Sequence, residues 1–207
     1  MTLLSNFVTE KAAFTGAEVG MSQSIREIPG FLAFTVVFVM LILKEQTFAC
    51  LSLALLGIGV AITGYLPSVF GLFFSTFIMS VGFHYYETLK QSLSLQWFSI
   101  DEAPAMLGKL IAASSAASLV AYSFLWLAMD QLGLSYRAIY VVGGSVCLCL
   151  TLFMWLAFAR FESKTPQRKH LLRRKHYWLY YALTFIGGAQ TDFYRFCSIF
   201  DGGKVSL

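Results

Sequence analysis

The stretch SVFGLFFSTFIMSVGFHYYETLKQSLSLQWF, from Ser68 to Phe98, decides how the rest of the chain is interpreted. About 20 apolar residues are enough to cross a bilayer, so this segment is long enough to span one while tilted. His84, Glu87 and Gln91 interrupt its second half at positions i, i+3 and i+7, and therefore share one helix face. Because ionisable side chains at membrane depth usually face a bundle interior or a watery cavity, this face is a functional candidate.

The composition of the whole chain is that of an integral membrane protein. Hydrophobic residues make up 57% of the sequence and charged residues 13%, whereas about 25% of residues are charged in typical soluble domains. Long apolar runs alternate with short polar turns, and the period-2 pattern of transmembrane β-strands is absent. Since a backbone in lipid must satisfy its own hydrogen bonds, we predict an all-α polytopic membrane protein in a lipid bilayer.

The chain is predicted to form five full transmembrane helices and a partial sixth. The predicted segments are an N-terminal tail (1–16), a five-helix bundle (17–159), a basic loop (160–176), a partial helix (177–189) and an irregular tail (190–207). The first helix has two interpretations. It begins near Ala17, which places Arg26 and Glu27 inside the membrane, or at Pro29, a favoured first-turn residue, which leaves both charges at the interface.

Two of the predicted helices carry faces of small residues. Gly57 and Ala61 lie four residues apart in the second span, and Gly108, Ala112 and Ala116 repeat at the same interval in the fourth. Small residues at this spacing allow helix backbones to approach closely in membranes. Both faces are therefore predicted to pack against other helices.

Seven of the fifteen basic residues lie between Arg160 and Lys175. By the positive-inside rule the loop 160–176 is cytoplasmic, and we place the protein in the cell (inner) membrane as a multi-pass protein. Binding of nucleic acid or anionic lipid is the alternative for such a run, but beside a membrane helix the topology signal is favoured, and no nucleic-acid partner is expected. The four cysteines have no disulfide or metal-ligand spacing, and no metal or cofactor is expected.

The region from Phe73 to Ala121 resembles the major facilitator superfamily (MFS) of secondary transporters. The sequence GLFFSTFIMSVGFHYYETLKQSLSLQWFSIDEAPAMLGKLIAASSAASLVAY is similar to that family's fourth helix, acidic cytoplasmic loop and fifth helix. The resemblance implies that the spans match helices two to seven of an MFS-like bundle. Two departures are Lys44-Glu45-Gln46 and Ala121-Tyr122-Ser123, which replace the family's signatures after helix two and in helix five, so drug efflux by proton antiport is not supported.

The sequence after Ala189, QTDFYRFCSIFDGGKVSL, neither continues the sixth helix nor forms an amphipathic one. Permitted codons for Gln190 onward, read one nucleotide later, can encode an apolar continuation. We therefore expect a frameshift near Gln190 and a chain that is the front part of a longer transporter, with the missing C-terminal half as its partner. The alternative is a natural short protein with a disordered tail.

These features predict a secondary-active transporter of MFS type for an unknown small molecule, with this chain an incomplete and inactive fragment. Candidate residues for the substrate or proton pathway are His84, Glu87, Lys90, Gln91, Arg26 and Glu27. The same residues have a structural alternative, an interhelical polar network, and the protein has one too, a membrane structural or assembly subunit. No enzyme is expected, because the sequence contains no nucleophile motif, HExxH or glycine-rich phosphate loop.

Overall fold

The computed structural model of the chain describes residues 2–10, 14–99 and 101–157, all of which belong to one unit, Met1–Pro166. These residues form helices and no strand. In chain order the elements are α1 (Thr2–Glu10), α2 (Gly16–Phe31), a 3-10 helix (Leu32–Thr35), α3 (Val36–Val39), α4 (Glu45–Thr63), α5 (Val69–Trp97), α6 (Ala103–Asp130) and α7 (Tyr136–Ala157). The predictions for 160–176, 177–189 and 190–207 lie outside the described residues.

Four of the described helices, α4 to α7, are long and apolar enough to cross a membrane. The predicted all-helical class is confirmed for the described residues, and the predicted second to fifth spans agree with these helices to within a few residues. Five full spans are not found among residues 2–10, 14–99 and 101–157, because the predicted first span, 17–43, is divided into α2, the 3-10 helix and α3.

Pro29 explains why the first predicted span is not one continuous helix. It lies inside α2, where a proline has no N–H to donate and its ring clashes with the carbonyl four residues earlier. The helix ends two residues later at Phe31, and the chain continues as the 3-10 helix and α3. The helix therefore begins near Ala17, with Pro29 inside it, while the point at which the membrane span begins stays a prediction.

The start of α2 is fixed by a capping box. The backbone N–H of Thr15 donates to Glu18 Oε2 at 2.7 Å, and Thr15 Oγ1 accepts the N–H of Glu18 at 3.4 Å. The hydrogen bond from the Thr15 backbone, and then that from its hydroxyl, lower the pKa of the Glu18 carboxyl below its ordinary value, because both stabilise the carboxylate. This pair is the sequence signal S/T-x-x-E of a helix N-terminus.

Glycines place α4 in backbone contact with α5 on one side and α7 on the other. A Cβ added to Gly82 of α5 would lie 2.5 Å from the Leu56 backbone nitrogen. A Cβ added to Gly144 of α7 would lie 2.6 Å from the Ala61 backbone nitrogen, and one added to Gly57 would lie 3.1 Å from a Leu148 side-chain carbon. The predicted packing residues Gly57 and Ala61 thus lie at the contact between α4 and α7.

The packing of α6 is different along most of its length. Every residue from Gly108 to Phe124 is exposed, including Ala112 and Ala116 of the predicted packing face. A Cβ added to Gly108 would meet no atom within 4 Å. Among the described residues this face therefore has no helix packed against it, although the sequence predicts one.

The predicted N-terminal tail contains a helix instead. Phe7 and Val8 of α1 are 3% and 4% exposed. The Phe7 ring lies 5.4 Å, between centroids, from each of the rings of Tyr136 and Tyr140 on α7. Residues at i, i+3 and i+4 of a helix share a face, so Leu4, Phe7 and Val8 give α1 an apolar stripe that covers the start of α7.

Candidate polar site between the helices

The contact between α2 and α5 is polar where Pro29 interrupts α2. The Ser80 hydroxyl on α5, which is 3% exposed, donates a hydrogen bond to the backbone carbonyl of Arg26. A proline inside a helix disturbs the carbonyls of the preceding turn, and Ser or Thr side chains of a neighbouring helix can satisfy such groups. Ser80 therefore holds α5 against the broken turn of α2.

Arg26 and Glu27, predicted pathway residues, form an ion pair with each other. Arg26 Nη2 lies 2.6 Å from Glu27 Oε1, and Arg26 Nε donates to the same oxygen at 3.2 Å. The two side chains are 22% and 31% exposed. The two residues are adjacent in sequence, so their ion pair lies within α2. At this level α2 is joined to α5 through the Arg26 carbonyl.

His84, a predicted pathway residue of α5, lies directly against α2. A Cβ added to Gly30 would lie 2.9 Å from His84 Cε1, so the imidazole packs against the backbone of Gly30, next to Pro29. The ring also meets the Phe83 ring edge-on, with centroids 5.3 Å apart. A side chain at position 30 would therefore require the His84 ring to shift from this position.

Glu87, Lys90 and Gln91 lie farther along α5. Lys90 Nζ donates to Glu87 Oε1 at 2.5 Å, so the ion pair expected from their spacing is present. Both side chains are more than one-third exposed, and Gln91 is exposed. The structure thus divides the predicted set into a group at α2, with Arg26 and His84, and a more exposed group on α5.

A second polar contact joins α4 to the C-terminal half of α5. Gln96 Nε2 donates to Glu45 Oε2 at 2.7 Å, and the Ser92 hydroxyl donates to Glu45 Oε1 at 3.2 Å. From the sequence, Glu45 is only a part of the departure Lys44-Glu45-Gln46 from the family's signature. The hydrogen bonds show that it connects the first turn of α4 to α5.

A cavity of about 260 Å³ lies among α1, α2, α5 and α7. It is lined by Leu3, Leu4, Val8, Val19, Ser22, Gln23, Arg26, Thr76, Met79 and Tyr140. Thr76 is 1% exposed and Tyr140 is 5% exposed, and neither hydroxyl has a hydrogen-bond partner among the described residues. An unsatisfied buried polar group costs about 1–3 kcal/mol, so two of them at one cavity require an explanation.

Sequence reasoning missed the polar residues of this cavity apart from Arg26. Ser22, Gln23, Thr76 and Tyr140 lie on three different helices and form no motif. Thr76 and Tyr140 are each the kind of residue that occurs throughout apolar membrane helices. Arg26 follows Gln23 by three residues and Ser22 by four, and this spacing was the one available signal, because it places both near Arg26 on one side of α2.

Among the described residues, no three His, Cys, Asp or Glu side chains are close enough to hold a metal ion. In comparisons with known proteins, the chain matches no family model, no curated protein and no solved structure. The resemblance to the MFS therefore stays a prediction from the order of helices and loops.

Proposed function

We propose that this protein supplies one wall of a secondary-active membrane transporter of MFS type for a small polar molecule. The contact of α2 with α5 carries the proposal, because it gathers Arg26, Glu27, Ser80 and His84 beside a broken helix. Ionisable groups and discontinuous helices inside a helical bundle are the features from which transporters build solute and ion sites.

The proposal counts residues 19–39 as a fifth crossing that is broken at Pro29, so that the capped first turn of α2, with Glu18, lies outside the membrane. In transporters, half-helix ends and unwound turns within the membrane are tolerated where they line a cavity. Arg26 and Glu27 are then at membrane depth, and their ion pair reduces the cost of placing two charges there. The basic loop 160–176 is cytoplasmic in this topology.

The exposed length of α6 supports the idea that a second wall exists. Transporters of this kind move a solute between two helical halves that rock about a central site. A bundle with only one half has no opposite wall, so we propose that the chain alone is inactive. A further set of membrane helices that forms this second wall is the proposed partner.

The experiment uses the cells that naturally make the protein. Accumulation of labelled small carboxylates, amino acids and sugars is measured in wild type and in His84→Ala and Glu87→Gln variants. We expect at least one solute class to be lost in the His84→Ala cells. Lys109→Gln, which changes an exposed residue of α6, is the matched control and leaves accumulation unchanged.

Proteoliposomes that contain only this chain provide a second measurement. We expect uptake no greater than that of empty vesicles for every solute of the panel. Uptake above the empty-vesicle level would show that the chain transports without a second wall. Unchanged accumulation in all variant cells would contradict a role in transport.

A structural or assembly subunit is the second candidate, and the exposed face of α6 favours it specifically. In that case Gly108, Ala112 and Ala116 bind a partner helix, and no solute crosses. Loss of a co-purifying membrane protein in Ala112→Leu, together with normal solute accumulation in His84→Ala, would identify this function.

A further inference from the structure

We infer that the cavity among α1, α2, α5 and α7 binds a small monocarboxylate. The inference deepens the proposed function. It rests on the proposed function only where it takes the bound molecule to be the transported one. The lining hydroxyls of Thr76 and Tyr140, buried and without partners among the described residues, are the observation that points to a ligand.

Thr76 departs from the way that this bundle satisfies its other hydroxyl groups. Several of them donate to the carbonyl four residues earlier in the same helix, as Thr63, Thr88, Ser94, Ser118 and Thr151 do. Thr76 makes no such bond, and the Tyr140 hydroxyl stands at the end of a ring and is too far from its own backbone. Because buried polar groups are nearly always hydrogen-bonded, the missing partners are expected in the cavity itself.

The cavity is rich in hydrogen-bond donors. The Arg26 guanidinium only donates, the Gln23 amide offers two N–H groups, and hydroxyls can donate. No Asp or Glu belongs to the described lining. A ligand that accepts several hydrogen bonds therefore fits best, and a carboxylate accepts at two oxygens.

The charge of the ligand is limited by Glu27. The Glu27 carboxylate, which is not part of the lining, neutralises Arg26. The site therefore has hydrogen-bond donors but no large net positive charge. One negative charge on the ligand is consequently favoured over two or three. This selects a monocarboxylate rather than a phosphate or a dicarboxylate.

The rest of the lining is apolar, and the cavity is small. Leu3, Leu4, Val8, Val19 and Met79 form the apolar wall. Ligand sites commonly measure about 300–1,000 Å³, and 260 Å³ lies just below that range. A short hydrocarbon chain attached to the carboxylate fits both observations, and butyrate has this chemistry.

The test measures equilibrium binding of radiolabelled butyrate to the full chain in detergent at constant ionic strength. We expect saturable binding that Thr76→Val and Tyr140→Phe each weaken about 10- to 150-fold, the loss of one hydrogen bond to a charged carboxylate. Ser52→Ala is the matched control, because Ser52 Oγ is also buried without a partner among the described residues but is not part of this lining. Thr76→Ser keeps the hydroxyl and is expected to bind like wild type.

Butyramide and butylamine, as unlabelled competitors, test the chemical class. We expect butyramide to compete at least 10-fold more weakly than butyrate, and butylamine not to compete. Equal competition by butyramide would overturn the carboxylate assignment. Absence of saturable binding would show that the cavity holds water only, and equal weakening by Ser52→Ala would show that the lining hydroxyls do not bind butyrate; either result would overturn the inference.

Folding of the variants is checked by thermal unfolding without ligand. Replacing an unpartnered hydroxyl with an apolar group of similar shape is nearly neutral or stabilising, so Thr76→Val and Tyr140→Phe are expected to match wild type. If neither variant folds, Thr76→Ser binding and the competitor series still decide. Butyrate binding with unchanged solute accumulation in variant cells would contradict the transport proposal alone, whereas lost accumulation without butyrate binding would contradict this inference alone.

Discussion

Helices α4 and α6 carry the same kind of small-residue pattern, but only α4 is packed along its length. On α4, Gly57 and Ala61 lie against α7, and Gly82 of α5 meets the other side. On α6, Gly108 has no atom within 4 Å of its missing Cβ, and Ala112 and Ala116 are exposed. The difference shows that such a pattern makes close packing possible without specifying which helix provides the partner.

The largest expected effect is on the packed side of this comparison. Gly82→Leu adds a side chain to α5 at a position that the α4 backbone occupies, so α4 and α5 must move apart. Overpacking a core costs about 1–3 kcal/mol, and contact with backbone puts this variant at the upper end. We expect a lower midpoint of thermal or urea unfolding in detergent.

Gly108→Leu is the control for this prediction, because the same change on α6 meets open space. Replacing glycine with leucine inside a helix favours the helical state by roughly 0.5–1 kcal/mol. Its unfolding midpoint is expected to equal or exceed that of wild type. Equal destabilisation by both substitutions would mean that α6 is packed as tightly as α4.

The next effect concerns association through α6. Ala112→Leu and Ala116→Leu are expected to leave the unfolding midpoint unchanged but to weaken binding to a second wall. The same overpacking of about 1–3 kcal/mol corresponds to a roughly 5- to 150-fold loss of affinity. The measurement is the amount of co-purifying membrane protein at fixed detergent and protein concentrations.

Ser114→Leu supplies the control for association, since a residue two positions along a helix points to nearly the opposite side. It is exposed in the structure, as Ala112 and Ala116 are. We expect it to keep the partner that the alanine variants lose. If all three variants retain the partner equally, the small-residue face of α6 is not an interface.

The sequence predicts most helix positions in this chain for physical reasons that are local. Ser68 accepts the N–H of Gly71 as an N-cap, and Pro67 precedes it, so the start of α5 is encoded within a few residues. The division of α2 from α3 follows from Pro29, but length alone suggested a continuous span. The helical structure of residues 2–10 was missed, because a stretch too short to cross a membrane can still pack against α7.

A smaller effect is expected for a hydroxyl that joins two helices, in comparison with a hydroxyl that bonds within α6. Ser80→Ala removes the hydrogen bond that the buried Ser80 hydroxyl donates to the partly buried Arg26 carbonyl. The expected loss of unfolding free energy is about 1 kcal/mol. Ser118→Ala removes a bond to the Ser114 carbonyl within exposed α6 and is expected to change stability by less than about 0.5 kcal/mol. Similar losses for both variants would show that Ser80 does not join α2 to α5.

The candidate site was predictable only in part, because it depends on which helices are neighbours. Arg26 and His84 could be selected as rare ionisable groups in apolar segments. The sequence could not predict that Glu87 and Lys90 are separate from them, since this separation depends on α2 crossing α5 near Ser80. The hydroxyls of Thr76 and Tyr140 acquire significance only when the fold buries them together at one cavity.

The smallest effect compares the beginnings of α2 and α6. Glu18 accepts the backbone N–H of Thr15, whereas the Glu102 carboxylate accepts the Ser99 hydroxyl and α6 begins at the next residue. The pKa of Glu18 is lowered in the folded state. Its contribution to stability is therefore complete above the unfolded pKa of about 4.3 and is lost as the pH falls through the folded pKa. We expect the protection factors of the amides in the first turn of α2, corrected for the intrinsic exchange rate at each pH, to fall over that range. Glu18→Gln is expected to remove this pH dependence, and Glu102→Gln to preserve it. Protection of α2 that stays constant as the pH falls would contradict the role of the Glu18 carboxylate as a cap.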